Sequence, residues 1–210
     1  ELHGDRVYSD DQALVGGIKL LVLPQAGSDR IGMESADGHT RAFDDSSDGT
    51  NWSEGVVAVF LKPLAKAVVD KDNIYAVIKG SAVNHDGQSI GLTAPNARAQ
   101  EQVLVSAWQD AGVDPETISY IEAHGTGTQL GDPVEVEGMT RAFRRYTDKK
   151  QFCAIGSVKS NLGHTAGASG LFGVVKTALS LKYKEIPPSI NFQTPNRRID
   201  WADSPVYVNI

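Results

Sequence analysis

Two stretches of this chain hand a short apolar strand to a helix through a polar turn that carries a histidine. Residues 118–123 (ISYIEA) read as a strand, His124 follows at once, and a glycine-bearing turn leads into a helix predicted over 132–145, with Pro133 suited to its first turn. Residues 154–158 read as a second strand. Its turn presents Lys159, Asn161 and His164, and a helix is predicted over 166–183. Strands that alternate with helices in this way fold as an α/β protein with layered helices and sheet. Ligand sites in such sheets gather at the carboxyl ends of strands, which is where both histidines fall.

The remaining pattern is consistent with that class. Residues 13–23 (ALVGGIKLLVL) form an apolar run that reads as a buried strand, with Gly16 and Gly17 allowing close approach of neighbouring backbone. Residues 24–50 are polar and rich in Gly, Ser and Asp, a long loop with Phe43 as its anchor. Strands are predicted at 56–61, rich in β-branched residues, and at 75–83. A helix is predicted over 97–111, with Val103, Leu104 and Ala107 on its apolar face and Gly112 as its stop. The helix over 166–183 is apolar on nearly every side in LFGVVKTAL, so burial is expected, and Pro187-Pro188 end it. The segments 24–50 and 184–200 read as loops inside one domain. No internal repeat or low-complexity segment is present.

Composition narrows the partners. A net charge of −6 argues against a nucleic-acid surface, which would be basic. The pairs Arg144-Arg145 and Lys149-Lys150 sit in a polar stretch and are expected to face solvent, where an acidic carrier protein is the alternative use for them. The single cysteine, Cys153, rules out an internal disulfide and fits a reducing compartment. No apolar run approaches the roughly 20 residues a membrane span needs, and ELHGDRVYSDD lacks a signal-peptide pattern. A cytoplasmic protein without membrane or nucleic-acid contact is the expectation.

Three uses of the turn at His124 compete. The helix start offers free N–H groups for a phosphate, but no Lys-Ser/Thr follows the glycines, which argues against a nucleotide P-loop. A lone histidine in an ordinary turn is the structural alternative. A catalytic histidine is the third, and it needs a second site in support. IGSVKSNLGHTAGASG (155–170) supplies one: Lys159 and His164 precede a run of small residues, Gly163, Ala166, Gly167, Ala168 and Gly170, suited to a helix start packed against other backbone. Gly125 and Gly127 would let the backbone approach a substrate, and Thr126 and Thr128 offer hydroxyls.

EAHGTGTQLGDPVE and GSVKSNLGH resemble the two histidine signatures of β-ketoacyl synthases, specifically the ketosynthase domains of modular polyketide synthases. GSAVNHDGQSIGLTAPNARAQ, KEIPPSINFQTPN and ALVGGIKLL extend the likeness over nearly all the chain from about residue 13, and DGTNWSEG resembles the wording of synthases served by separate acyltransferases. The resemblance implies a thiolase-like layered α/β/α/β/α fold, incomplete in this chain. The chain would be part of a single ketosynthase domain, with about 13–75 closing the N-terminal half and 76–210 forming most of the C-terminal half. The implied reaction is a decarboxylative Claisen condensation of an acyl chain with a malonyl unit, both carried on the phosphopantetheine of acyl carrier protein, with no directly bound cofactor or metal. A homodimer of the full domain is also implied.

Carried over residue by residue, His124 and His164 would donate hydrogen bonds to the malonyl thioester oxygen as it gains enolate charge. Lys159 would orient the site, paired with Glu135, and Asn161 would support it. Thr126 and Thr128 match the threonines that hold the phosphopantetheine arm. The family's nucleophile lies in an Ala-Cys-Ser-Ser-type motif upstream of the stretch matching 13–23, and no such motif occurs here. The partner that completes the chemistry is therefore expected to be the portion of the ketosynthase bearing that cysteine, and this chain alone is expected to be inactive. Cys153 lies on the wrong side of His124 for the nucleophile and is expected to be a buried structural residue. The glycine-rich strand that follows a PVYVN-like strand in the family is likewise absent, and Ala166 stands where many members have an acidic residue. A non-elongating relative, or a ketosynthase-derived scaffold or docking module, is the alternative.

Overall fold

The structure, a computed structural model, describes residues 12–20, 33–87 and 95–210. Strand β1 (Ala13–Lys19) pairs antiparallel with β2 (Gly55–Leu61), Gly17 opposite Val57. The end of the predicted strand at 21–23 and the loop portion 24–32 lie outside the described residues. Of the two strand glycines only Gly17 is required by close approach. A Cβ there would lie 2.9 Å from Ala168 Cα, whereas at Gly16 it would meet only ordinary contact at 3.5 Å. The short helix α1 (Leu64–Val69) follows, an element the sequence pattern did not predict.

The strand predicted at 75–83 is a correction: the segment is irregular, with Ile78 65% and Val83 96% exposed. Its β-branched composition fits a strand, but a strand exists only where another backbone completes its ladder. Among the described residues nothing pairs with it. Helix α2 (Ala97–Ala111) forms as predicted. The Asn96 side chain accepts from the Arg98 and Ala99 N–H groups, and Gly112, at φ 59°, ends the helix in the left-handed conformation that a Cβ disfavours. Its most buried residues are Ala99, Val105 and Trp108, one step round from the face expected.

A single 3-10 turn at Pro115–Thr117 leads to β3 (Tyr120–Glu122), α3 (Gly131–Phe143), β4 (Cys153–Gly156), α4 (Lys159–Leu162), a 3-10 turn at Ala166–Ala168, α5 (Ser169–Tyr183) and β5 (Val206–Val208). The three strands form one parallel sheet in the order β3-β4-β5. Central β4 is buried at all four positions, so it carries the continuous apolar character of a parallel strand covered on both faces. The core lies between this sheet and helices α2 and α3. Phe43, Phe143, Cys153, Ile155 and Val206 are wholly buried there, and Trp108 packs on Phe143 with ring centroids 4.7 Å apart. Burying one such side chain contributes about 1.5–3 kcal/mol. Cys153 is the structural residue expected, its thiol pushed up to about 12 by burial.

The all-round burial expected of α5 is also corrected. Only Ser169 and Gly173 are buried, while Leu181 is 61% and Tyr183 65% exposed. The helix ends at Lys184, left-handed at φ 58°, before the two prolines are reached. The described residues supply a packing partner for one face of this apolar helix and leave the others open. No described helix is long and apolar enough to cross a membrane.

Candidate active site

Strands β3 and β4 run side by side with Glu122 opposite Gly156, so their carboxyl ends deliver His124 and Lys159 to the same place. Glu122 fixes this junction. Its carboxylate accepts from the Val158 N–H (2.5 Å) and the Tyr120 hydroxyl (2.5 Å), and it pairs with Lys176 of α5 (2.8 Å). Burial first, then the bonded and charged Glu122, push the Tyr120 phenol well above its usual range, so the hydroxyl stays a donor.

The loop after β3 is held by two carboxylates near the start of α3. Glu135 accepts from the backbone N–H of His124 (2.6 Å) and of Gly125 (2.8 Å). Asp132, 1% exposed, accepts from the N–H of Gly127 (3.1 Å) and from that of Phe43 (2.7 Å), tying the loop to the 40s segment. Burial raises both acids, Asp132 to about 7. Gly125 and Gly127 have φ of 44° and 68°, and the backbone they approach is the protein's own. A Cβ at Gly125 would lie 2.6 Å from Ser157 Cβ, and one at Gly127 3.0 Å from Arg41 N. The close approach expected there toward a substrate is thus an approach to protein.

Lys159, 4% exposed, places its ammonium 2.7 Å from the His124 carbonyl and 3.4 Å from His124 Nδ1. It bonds His124 directly. Glu135, the partner expected for it, acts on it only through charge, against the desolvation that lowers its pKa. His164 follows Gly163, which is left-handed at φ 77°, and is bracketed by backbone bonds from its N–H to the Asn51 carbonyl (2.6 Å) and from the Ser53 N–H to its own carbonyl (3.2 Å). Its Nδ1 accepts the Ala166 N–H (3.1 Å) and lies 3.0 Å from Ser169 Oγ.

The two imidazoles stand edge to face with centroids 5.6 Å apart. Both are pushed down to about 4, by desolvation first, then by Lys159, and further by His164 for His124 and by Lys19 for His164. By residue surface His124 is exposed and His164 half-buried, and with both shifted down the two rings are neutral near pH 7. A backbone N–H directed at Nδ1 of His164 leaves its proton on Nε2, and an ammonium beside Nδ1 of His124 favours the same tautomer. Each ring therefore carries one N–H, pointing away from its Nδ1 anchor.

The other candidates divide. Thr126 and Thr128 bring their hydroxyls within 3.3 Å of each other, and Thr128 Oγ1 accepts the Gly131 N–H at the start of α3. Asn161 is exposed on α4. Of the small residues after His164, Ala168 is fully buried, but a Cβ at Gly167 or Gly170 would meet nothing within 4 Å. The basic pairs face outward with their charge already partnered: Arg145 pairs with Glu101, Lys149 with Glu116 and Lys150 with Asp203, and Arg144 donates to three backbone carbonyls. Residues that sequence reasoning missed are Asp132, Glu122, Trp52 and Lys19. Asp132 and Glu135 carried a signal, two carboxylates three apart near a helix start. Trp52 carried only that of a lone aromatic in a polar loop.

Comparison with known proteins identifies the chain's relatives. Residues 75–193 match the β-ketoacyl synthase C-terminal domain and residues 8–67 the β-ketoacyl synthase N-terminal domain. Polyketide synthase PksL of Bacillus subtilis (strain 168) is 47% identical over 95% of this chain, and polyketide synthase ThaG of Burkholderia thailandensis is 47% identical over 91%. The chain spans 4% of the length of each of those two proteins. Among solved structures, the ketosynthase from module 6 of the bacillaene synthase from Bacillus subtilis 168 matches with a TM-score of 0.91 at 47% identity, covering 95% of this chain and 36% of that one. The Streptomyces albus JA3453 oxazolomycin ketosynthase domain matches at 0.89 and 36% identity, with 95% and 35% covered. The thiolase-like α/β fold is thus shared by known ketosynthases, and this chain belongs to the β-ketoacyl synthase family.

Proposed function

We propose that this chain supplies the decarboxylation half of a ketosynthase that joins an acyl chain to a malonyl unit delivered on an acyl carrier protein. The observation that carries the reading is the pair of histidine rings, 5.6 Å apart and each engaged at Nδ1, His124 by the Lys159 ammonium and His164 by the Ala166 N–H. This arrangement favours a neutral ring with its proton on Nε2. As the malonyl carboxylate leaves as carbon dioxide, its bonding electrons move onto the thioester, and the oxygen gains enolate charge. Two N–H donors at that oxygen stabilise it. Each such preorganised donor contributes about 3–4 kcal/mol. The enolate carbon then attacks the acyl thioester, the new carbon–carbon bond forms, and the cysteine thiolate leaves. That cysteine belongs to the remainder of the ketosynthase, the first partner in this reading, with residues 13–75 and 76–210 as parts of one domain. The family matches at 8–67 and 75–193 support that division.

Desolvation first, and then the Lys159 charge, keep both rings neutral; Lys159 also fixes His124, and Glu135 holds the backbone that carries it. Thr126 and Thr128 would face the phosphopantetheine arm, Thr126 with the freer hydroxyl. Asn161, exposed, fits a supporting contact outside the histidine pair. The domain would work as a homodimer, of the type served by a separate acyltransferase. In the ketosynthase domain containing this chain, His124→Ala or His164→Ala is expected to slow carbon dioxide release from malonyl-loaded carrier protein about 100-fold or more, while acyl loading of the cysteine persists. Unchanged condensation in both variants would overturn the reading and leave a docking or scaffold role.

A further inference from the structure

Trp52 lies in a loop between two polar residues, Asn51 and Ser53, where an exposed indole would have little to gain. Instead its ring stacks on the His164 imidazole, with centroids 4.7 Å apart and planes 19° from parallel. The loop is docked there by the same backbone bonds that hold His164, from the His164 N–H to the Asn51 carbonyl and from the Ser53 N–H to the His164 carbonyl. Over the Trp52 ring sits the Lys19 ammonium, 4.1 Å from the centroid, which also reaches the His164 carbonyl at 3.4 Å. Cation, indole and imidazole are thus in successive contact, with His124 meeting His164 edge-on.

We propose that Trp52, clamped by Lys19, is a positioning residue that fixes the plane of the His164 ring so that its Nε2–H is aimed into the reaction site. Two hydrogen bonds at Nδ1 fix one atom of the imidazole but leave the ring free to tilt about that edge. A flat aromatic surface against one face removes the tilt. Lys19 gives the indole its own reason to stay, since the electron-rich face of an indole attracts a cation held over it. Small tilts matter, because misplacing a reacting group by about 1 Å can cost about 100-fold in rate.

The proposal rests on His164 as the enolate donor, so its test needs a readout other than turnover. In the ketosynthase domain containing this chain, 15N spectra of the His164 ring report directly on the tautomer. Trp52→Ala is expected to move the Nδ1 and Nε2 signals toward each other, as the released ring tilts off the Ala166 N–H and both tautomers become populated. It is expected to slow malonyl decarboxylation about 10- to 100-fold and leave cysteine acylation near wild type. Trp52→Phe, which keeps a flat face, is expected to restore both readouts. Unmoved His164 signals in Trp52→Ala would overturn the proposal, as would a parallel loss of acylation and decarboxylation that Phe does not rescue. If the alanine variant does not fold, Trp52→Leu fills the space without the flat face, and wild-type behaviour in both readouts would overturn the proposal equally. His164→Ala with normal decarboxylation would sink the catalytic reading instead, and the spectra would still decide the stack.

Discussion

A histidine that donates from Nε2 needs its other nitrogen to accept, and at both rings that nitrogen faces a donor. Protonating Nδ1 of His164 would set an N–H against the Ala166 N–H, and protonating Nδ1 of His124 would set one against the Lys159 ammonium. This is the geometric counterpart of the downward shift of both rings to about 4 from an unfolded value of 6.5. The sign of the linkage follows. Between pH 6.5 and about 4 the unfolded chain binds protons that the folded chain refuses, so the histidines' contribution to stability is lost as pH falls through that window. Buried Asp132, raised to about 7, acts in the opposite direction, so the histidine part must be taken as a difference. His164→Gln is expected to lose less stability than the wild type between pH 6.5 and 4.5, read from urea midpoints at the two values. Equal losses would mean that His164 titrates normally. At this scale the sequence was informative about His124, Lys159 and His164, because position after a strand is a local property. It was uninformative about Trp52, whose partner lies far along the chain, and misleading about the Lys159–Glu135 pair, since each of those side chains satisfies His124's own backbone.

Among the elements, the helices with polar caps were the most legible. Asn96 and Gly112 delimit α2 by short-range chemistry, and the first turn of α3 likewise carries Asp132 where the helix start favours an acid. Segment 75–83 was illegible for the converse reason: β-branched alternation specifies a surface that wants a partner, and pairing is not encoded within the segment. The loop at 124–131 falls between these cases. Its glycines are visible in the sequence, but what requires them is Ser157 on one side and Arg41 with Gly49 on the other. Asp132 closes this loop by taking one N–H on each oxygen, which also holds Phe43 in a left-handed conformation at φ 65°. For a bulky residue that conformation costs about 1–3 kcal/mol. Asp132→Asn retains one acceptor and turns an amide N–H toward the second donor. The substitution is expected to cost about 1–3 kcal/mol, measured by urea unfolding, and to loosen residues 43 and 127 together in amide exchange. Protection lost at only one of the two would show that the carboxylate does not bridge them.

At the scale of the whole molecule, the described residues are finished on one side and open on another. The parallel sheet, α2 and α3 enclose a hydrophobic core around Phe143 and Ile155. The β1–β2 pair is different: as a two-stranded sheet it has an unpaired edge on each strand, and Leu14, Ile18, Val56 and Phe60 are all more than 60% exposed. Leu181 and Tyr183 add to this apolar surface from α5. Exposed apolar area combined with free strand edges is an association surface. The solved relatives carry further chain, since this one spans only 35–36% of theirs, and in the proposed reading part of that chain covers these faces. Two outcomes follow for the 210-residue chain studied by itself. Sedimentation velocity is expected to show self-association that grows with protein concentration, and Phe60→Lys with Ile18→Lys, on the outward face of the pair, is expected to reduce it without lowering the urea midpoint. The same double substitution inside the ketosynthase domain is expected to be strongly destabilising, because both charges would then be buried without partners. A monomeric isolated chain, or a domain indifferent to the two lysines, would show that these strands face solvent in both settings.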